Sequence, residues 1–275
     1  MAPSESELRE TGRRLLLARM RLLSEHGFYG LLLMHMRFAI GDELDTAWVS
    51  SDTITFNPEF MGRLSDEELD FVLEHEVLHA ALGHVSRGLG YEDPELFNVA
   101  CDIVVNSNIL YSNDMDHKSI TLSEFGESMH RTPSGDEGYD YTAEEVYDML
   151  LDRGMAIDGA PSTDDLEPSD APRGSRAARG RGNPHGHSAR DTESGILDEV
   201  RRRGRGGRWD WHVPSDGAAD GEGRGEWVQR LRDAREAMRA RDPSGKRGLV
   251  PLGVERLLDE LDEPRADWRL LLNDF

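Results

Sequence analysis

The sequence predicts an α+β fold, with a small sheet ahead of several helices. Three observations carry that expectation. Short runs rich in β-branched and aromatic residues cluster early, in "YGLLLMHMRFAI", "TAWVS" and "TITFNP". Capped segments with helical spacing follow as far as Leu151. From Asp152 to Gly225 the periodicity dissolves into Gly, Arg, Asp, Ser and Pro, and helical spacing then returns. The chain of 275 residues therefore divides into a folded domain over 1–151, a flexible linker over 152–225 and a helical segment over 226–275.

The elements follow in order. Leu8, Leu15, Leu16, Leu22 and Leu23 recur at roughly helical spacing, which predicts a helix from Ser6 to His26 ended by Gly27. "YGLLLMHMRFAI" reads as a buried strand, and "TAWVS" and "TITFNP" as two shorter ones joined by a turn at Ser51-Asp52. Ser65-Asp66-Glu67-Glu68 has capping-box spacing and starts a helix that weakens at Gly83, Gly88 and Gly90. Pro94 opens another over "ELFNVACDIVVNSNIL". Thr142-Ala143-Glu144-Glu145 caps one that runs to Leu151. Beyond the linker, "EWVQRLRDAREAMRAR", "PLGVERLLDELD" and "PRADWRLLLNDF" are helical patterns with too few apolar residues for a core of their own. They are expected to dock on the first domain or on something outside the chain.

Charge and composition exclude several function classes. Residues 41–170 hold 31 acidic and 5 basic side chains, within a net charge of −22, so nucleic acid is not the expected partner. The 10 arginines between Arg173 and Arg208 sit among Gly, Ser and Pro, as in a solvated tether. No run of eighteen apolar residues suggests a membrane span, and the N-terminus has no signal-peptide pattern. A single cysteine, Cys101, fits a reducing cytoplasm.

Chemistry concentrates in "FVLEHEVLHAALGHVSRG". His75-Glu76-Val77-Leu78-His79 is the H-E-x-x-H pattern, in a chain with ten histidines in all. Residues four apart on a helix lie one turn above each other, so both imidazoles can reach one ion. Glu76 is rotated by about 100° from His75 and can address a water at that ion. Zinc suits nitrogen ligands and, in catalytic sites, keeps one position open. The bland alternative is a helix whose histidines are satisfied by hydrogen bonds in the core. Two histidines and a glutamate on adjoining buried faces make that costly.

A third ligand must come from elsewhere. Asn98, Asp102 and Asn106 form a polar stripe at four-residue spacing on an otherwise apolar helix. If that helix packs on the first, Asp102 completes the site, or else orients a ligand histidine from behind. His84 is the rival, turned about 140° away from His79 unless the helix unwinds at Gly83. His212, in "WDWHVP", is a candidate transition-state stabiliser, with Tyr139 and Tyr141 behind it.

"TITFNPEFMGRLSDEELDFVLEHEVLHAALGHVSR", "LFNVACDIVVN" and "YTAEEVYDML" together resemble the metallopeptidase domain that precedes a von Willebrand factor A-like domain in bacterial proteins. "PLGVERLLDELDEPRADWRLLLNDF" resembles the lead-in to that A-like domain, which the chain itself does not include. The resemblance implies a zincin-like fold, with the sheet backing the H-E-x-x-H helix. It implies His75 and His79 as ligands, Glu76 as base, and Asp102 as the aspartate of "ACDIVVN". It also implies association with a MoxR-type AAA ATPase.

Two functions follow. The first is zinc-dependent hydrolysis of peptide bonds, with Glu76 as general base and an extended substrate added to a strand edge such as "TITF". The second is a zinc-stabilised module that works beside an ATPase and cleaves nothing.

Overall fold

The computed structural model describes residues 5–41, 46–50, 52–113, 129–158, 221–241 and 250–262. Helix α1 spans Glu5–Glu25, and His26, at φ −119° and ψ 62°, turns the chain into helix α2, Gly27–Leu33. This corrects the reading of "YGLLL" as strand. Six of the seven α2 residues are buried, so the segment has no polar face to betray its helical period, and a short apolar run fits strand or helix equally. Two glycines explain the packing. A Cβ on Gly30 would stand 2.3 Å from the Leu23 Cα, so only glycine lets α2 press against α1. Gly27 starts α2 instead of merely ending α1.

Strand β1 (Arg37–Ile40) runs parallel to β3 (Thr53–Phe56), and β2 (Ala47–Val49) runs antiparallel to it. The order is β1-β3-β2. "TITF" is therefore the central strand with both edges paired, and it cannot take a substrate by edge addition. Alternating burial along β3 places Ile54 and Phe56 in the core.

Helix α3 (Pro58–Arg63) follows at once, capped by the Asn57 side chain, which accepts from the N–H groups of Glu59 and Phe60. The strand therefore stops at Phe56, short of the "NP" of "TITFNP", because Asn followed by Pro at N1 starts a helix. Helix α4 (Asp66–Ala81) begins with the expected capping box: Glu68 N–H donates to Ser65 Oγ at 3.1 Å and Ser65 N–H to Glu68 Oε2 at 2.7 Å. It stops before Gly83, whose φ of 69° reverses the chain into the short α5 (His84–Arg87) and a 3₁₀ turn at Gly88–Gly90.

Helix α6 (Pro94–Ser112) is capped by Asp93 and carries the polar stripe. Helix α7 (Ala143–Asp158) starts on the Thr142–Glu145 capping box and runs past Leu151 into the span read as linker. Gly154 weakens a helix by only about 1 kcal/mol and does not end this one. Helix α8 (Gly221–Arg241) starts inside that span too, and α9 (Leu252–Asp262) closes the described residues. The rest of the linker and "PRADWRLLLNDF" lie outside the described residues.

The core has two parts that meet at α6. Trp227, Leu231, Ala234 and Met238 of α8, with Val254 and Leu258 of α9, are buried with α1–α4 and the sheet. The expected docking of the C-terminal helices is thus onto the chain's own first elements. On its other face α6 packs Phe97, Ala100, Cys101 and Val104 against Val146, Tyr147 and Leu150 of α7. Helix α4 lies against α6 within this frame. Among the described residues, no helix is long and apolar enough to cross a membrane.

Candidate metal centre

Helix α4 stacks His75 and His79 one turn apart, with ring centroids separated by 4.5 Å. The facing helix, α6, brings Asp102 to them. Asp102 Oδ1 lies 3.6 Å from His75 Nε2 and 3.4 Å from His79 Nε2. One ligand-capable atom from each of the three falls within 4.8 Å of the other two. His75, Glu76, His79 and Asp102 are each at most 1% exposed.

The protonation pattern tests whether this group fits a metal. Asn106, one turn beyond Asp102, donates from Nδ2 to the Met129 carbonyl at 3.0 Å. That contact turns its Oδ1 toward His75 Nδ1, 2.9 Å away. An amide oxygen only accepts, so His75 Nδ1 carries the hydrogen and donates. In the neutral ring, Nε2 then presents its lone pair toward the Asp102 oxygen. Two imidazole nitrogens and a carboxylate oxygen converging in a buried space suit a divalent cation, which such donors hold.

Asn106 thus has both polar ends of its amide engaged, one on His75 and one on Met129. Asn98, at the stripe's other end, is half-buried. His84 does not continue α4, because Gly83 breaks the helix ahead of it. Its Nδ1 lies 3.4 Å from His79 Nδ1, with the rings edge to face at 84°. Nδ1 and Nε2 are on different edges of the ring, so His84 meets His79 away from Asp102. Tyr139 packs against Tyr111, and the Tyr141 hydroxyl donates to Asp136 at 3.1 Å. His212 lies outside the described residues.

Two buried clusters escaped the sequence reading. Glu74, one residue before His75, faces another way: it pairs with His26 Nδ1 and accepts from Asn113 Nδ2 at 3.0 Å. Burial raises its carboxyl, although both partners pull it down. The same contact is the main cause of a raised His26 pKa. The second cluster is the loop after Met129, where buried His130 donates from Nδ1 to Glu137 Oε2 at 2.9 Å. "LEHEVLH" did hold a signal for the first, since its extra glutamate needs a partner if buried. The second depends on contacts between distant segments.

A family model described as "Putative metallopeptidase domain" matches residues 10–275. No curated protein and no solved structure matches the chain.

Proposed function

The chain belongs to this family of metallopeptidase domains, and on that premise we propose that it hydrolyses peptide bonds with zinc as its metal and Glu76 as general base. The observation that carries the reading is the convergence of His75 Nε2, His79 Nε2 and Asp102 Oδ1 beside a buried glutamate on the same helix. His75, His79 and Asp102 would hold the ion, and the Asp102 carboxylate would offset part of its charge. When bound, zinc supplies Lewis acidity that acidifies a water and polarises a carbonyl.

The chain's own residues do the rest. Glu76 accepts the proton of the attacking water and passes it to the leaving amine, a transfer worth about 10²–10⁴-fold in rate. Asn106 keeps the His75 ring turned so that Nε2 faces the ion. His84 supports His79 from its Nδ1 edge. The apolar residues around them keep bulk water away and strengthen each electrostatic contact. The outer edge of β2 is the better place for an extended substrate, since β2 is an edge strand and packs against α4. The arrangement suits a zincin-like site in a cytoplasmic protein with one buried thiol.

One observation favours a second reading. Complete burial of all four residues also suits a closed zinc site that stabilises an interaction module, one that works with an AAA ATPase. Incubating zinc-loaded protein with an unfolded protein substrate, and mapping products by mass spectrometry, separates the two. Cleavage by wild type that disappears in Glu76→Gln supports hydrolysis. Tight zinc with no cleavage by wild type supports the module.

A further inference from the structure

Helix α9 is linked to the metal centre by hydrogen bonds joined through short stretches of loop backbone. Arg256 donates to the carbonyls of Asp140 at 2.7 Å, Tyr141 at 2.8 Å and Tyr139 at 3.2 Å. Two of those carbonyls belong to the 3₁₀ turn Gly138–Asp140 and the third follows it. The turn lies on α6 so closely that a Cβ on Gly138 would stand 2.7 Å from the Ile103 oxygen. Gly138 N–H donates to the His130 carbonyl at 3.0 Å, and Glu137 ties the loop by accepting from His130, Arg131 and Ser107. The residue before His130 is Met129, fully buried, whose carbonyl receives Asn106 Nδ2. Asn106 Oδ1 then holds His75. A second anchor fixes α9 to α6 directly, where Gly253 N–H donates to Asn108 Oδ1 at 2.7 Å.

The Met129–Asn106 step is where the run acquires consequences. An asparagine amide has an accepting end and a donating end of nearly the same shape. Rotated by a half turn, Asn106 would offer its NH₂ to His75 Nδ1 and select the other tautomer. The hydrogen would then sit on Nε2, where no metal can bind. The Met129 carbonyl distinguishes the two orientations, because it accepts from an NH₂ and would repel an oxygen. The placement of that carbonyl depends on the loop, and the loop is braced from α9.

We propose that Arg256 is a positioning residue of the metal centre: by bracing residues 129–141 it holds the Met129 carbonyl on Asn106 and keeps His75 in the tautomer that presents Nε2. The proposal rests on His75 being a ligand, as above, and not on peptide hydrolysis.

The test uses the full chain as wild type, Arg256→Ala, Asn106→Ala and the double variant. Two quantities are read: the imidazole nitrogen shifts of His75 in metal-free protein, and zinc affinity by competition with a chromophoric chelator. Wild type should show His75 protonated at Nδ1. Asn106→Ala should weaken zinc about 10- to 100-fold, as loss of a partner behind a ligand does. Arg256→Ala should weaken it about 2- to 30-fold, the range for coupling through a packed network, and raise the share of Nε2–H tautomer. The double variant should bind zinc no worse than Asn106→Ala alone.

An Arg256→Ala protein with unchanged tautomer and affinity overturns the proposal. So does a loss that adds in full to that of Asn106→Ala, because it reports general loosening. Wild type that binds zinc but cleaves nothing ends the hydrolase reading and leaves this one standing. Wild type with His75 protonated at Nε2 ends this one, whatever the protease assay gives.

Discussion

Asp102 on α6 stands 3.4 Å from the Nε2 of His79 on α4, with both side chains fully buried. Two helices that meet through packing thereby bring a carboxylate to face an imidazole, and the function proposed for the chain turns on that relationship.

Removing the carboxylate should empty the centre. Asp102→Ala is expected to weaken zinc by more than about 100-fold, since loss of a partner behind a ligand already costs about 10- to 100-fold. His84→Ala, which removes only the contact at His79 Nδ1, should stay within about tenfold of wild type. Chelator competition on both variants reads the difference. The reverse order would move the third ligand to His84.

Glu76 should be separable from the metal. Glu76→Gln keeps the shape of the side chain and removes its capacity to take a proton. Zinc content and thermal midpoint should match wild type, while peptide cleavage falls about 10²–10⁴-fold. Loss of zinc in Glu76→Gln would make this residue a ligand instead of a base.

Stability should fall as pH rises above neutrality because of His26 and Glu74. His26 has a folded pKa raised above its ordinary 6.5, first by its bond to Glu74. Its contribution is therefore complete below about pH 6.5 and fades as pH climbs through the folded value. Glu74 is raised above 4.5 by burial, so it adds a loss of stability between pH 4.5 and its folded value and none beyond. Urea midpoints between pH 6 and 9 should decline for wild type and flatten for Glu74→Gln. A wild-type curve as flat as the variant's would remove the pair from the account.

Helix α8 should be required for the core. Leu231 is fully buried on the face that docks on the first elements. Leu231→Ala should cost about 2–5 kcal/mol, as for large-to-small core changes. Denaturant unfolding checks it. A loss below about 1 kcal/mol would mean that α8 docks too loosely to matter.

Much of the centre was legible because its signals are local. A capping box and an apolar helix interior placed His75, Glu76 and His79 on α4, and the stripe Asn98–Asp102–Asn106 indicated which face of α6 meets them. The remainder depends on contacts between segments far apart in sequence. Asn106 donates to the Met129 carbonyl, 23 residues away, and no spacing rule records that. The weakening expected at Gly83 is where the helix ends, but only the positive φ there determines that His84 turns back onto His79. In the fold, Gly27–Leu33 reads as strand because burial on nearly every side erases the helical period. The close approach that Gly30 permits is visible only once α1 lies against it.

If His75 and His79 together hold one ion, neither histidine alone should retain it. Elemental analysis of purified wild type and His79→Ala, each loaded with zinc and stripped of excess by gel filtration, addresses this most directly. About one zinc per wild-type chain and almost none in the variant is the expected result. Equal zinc in the two proteins would contradict it.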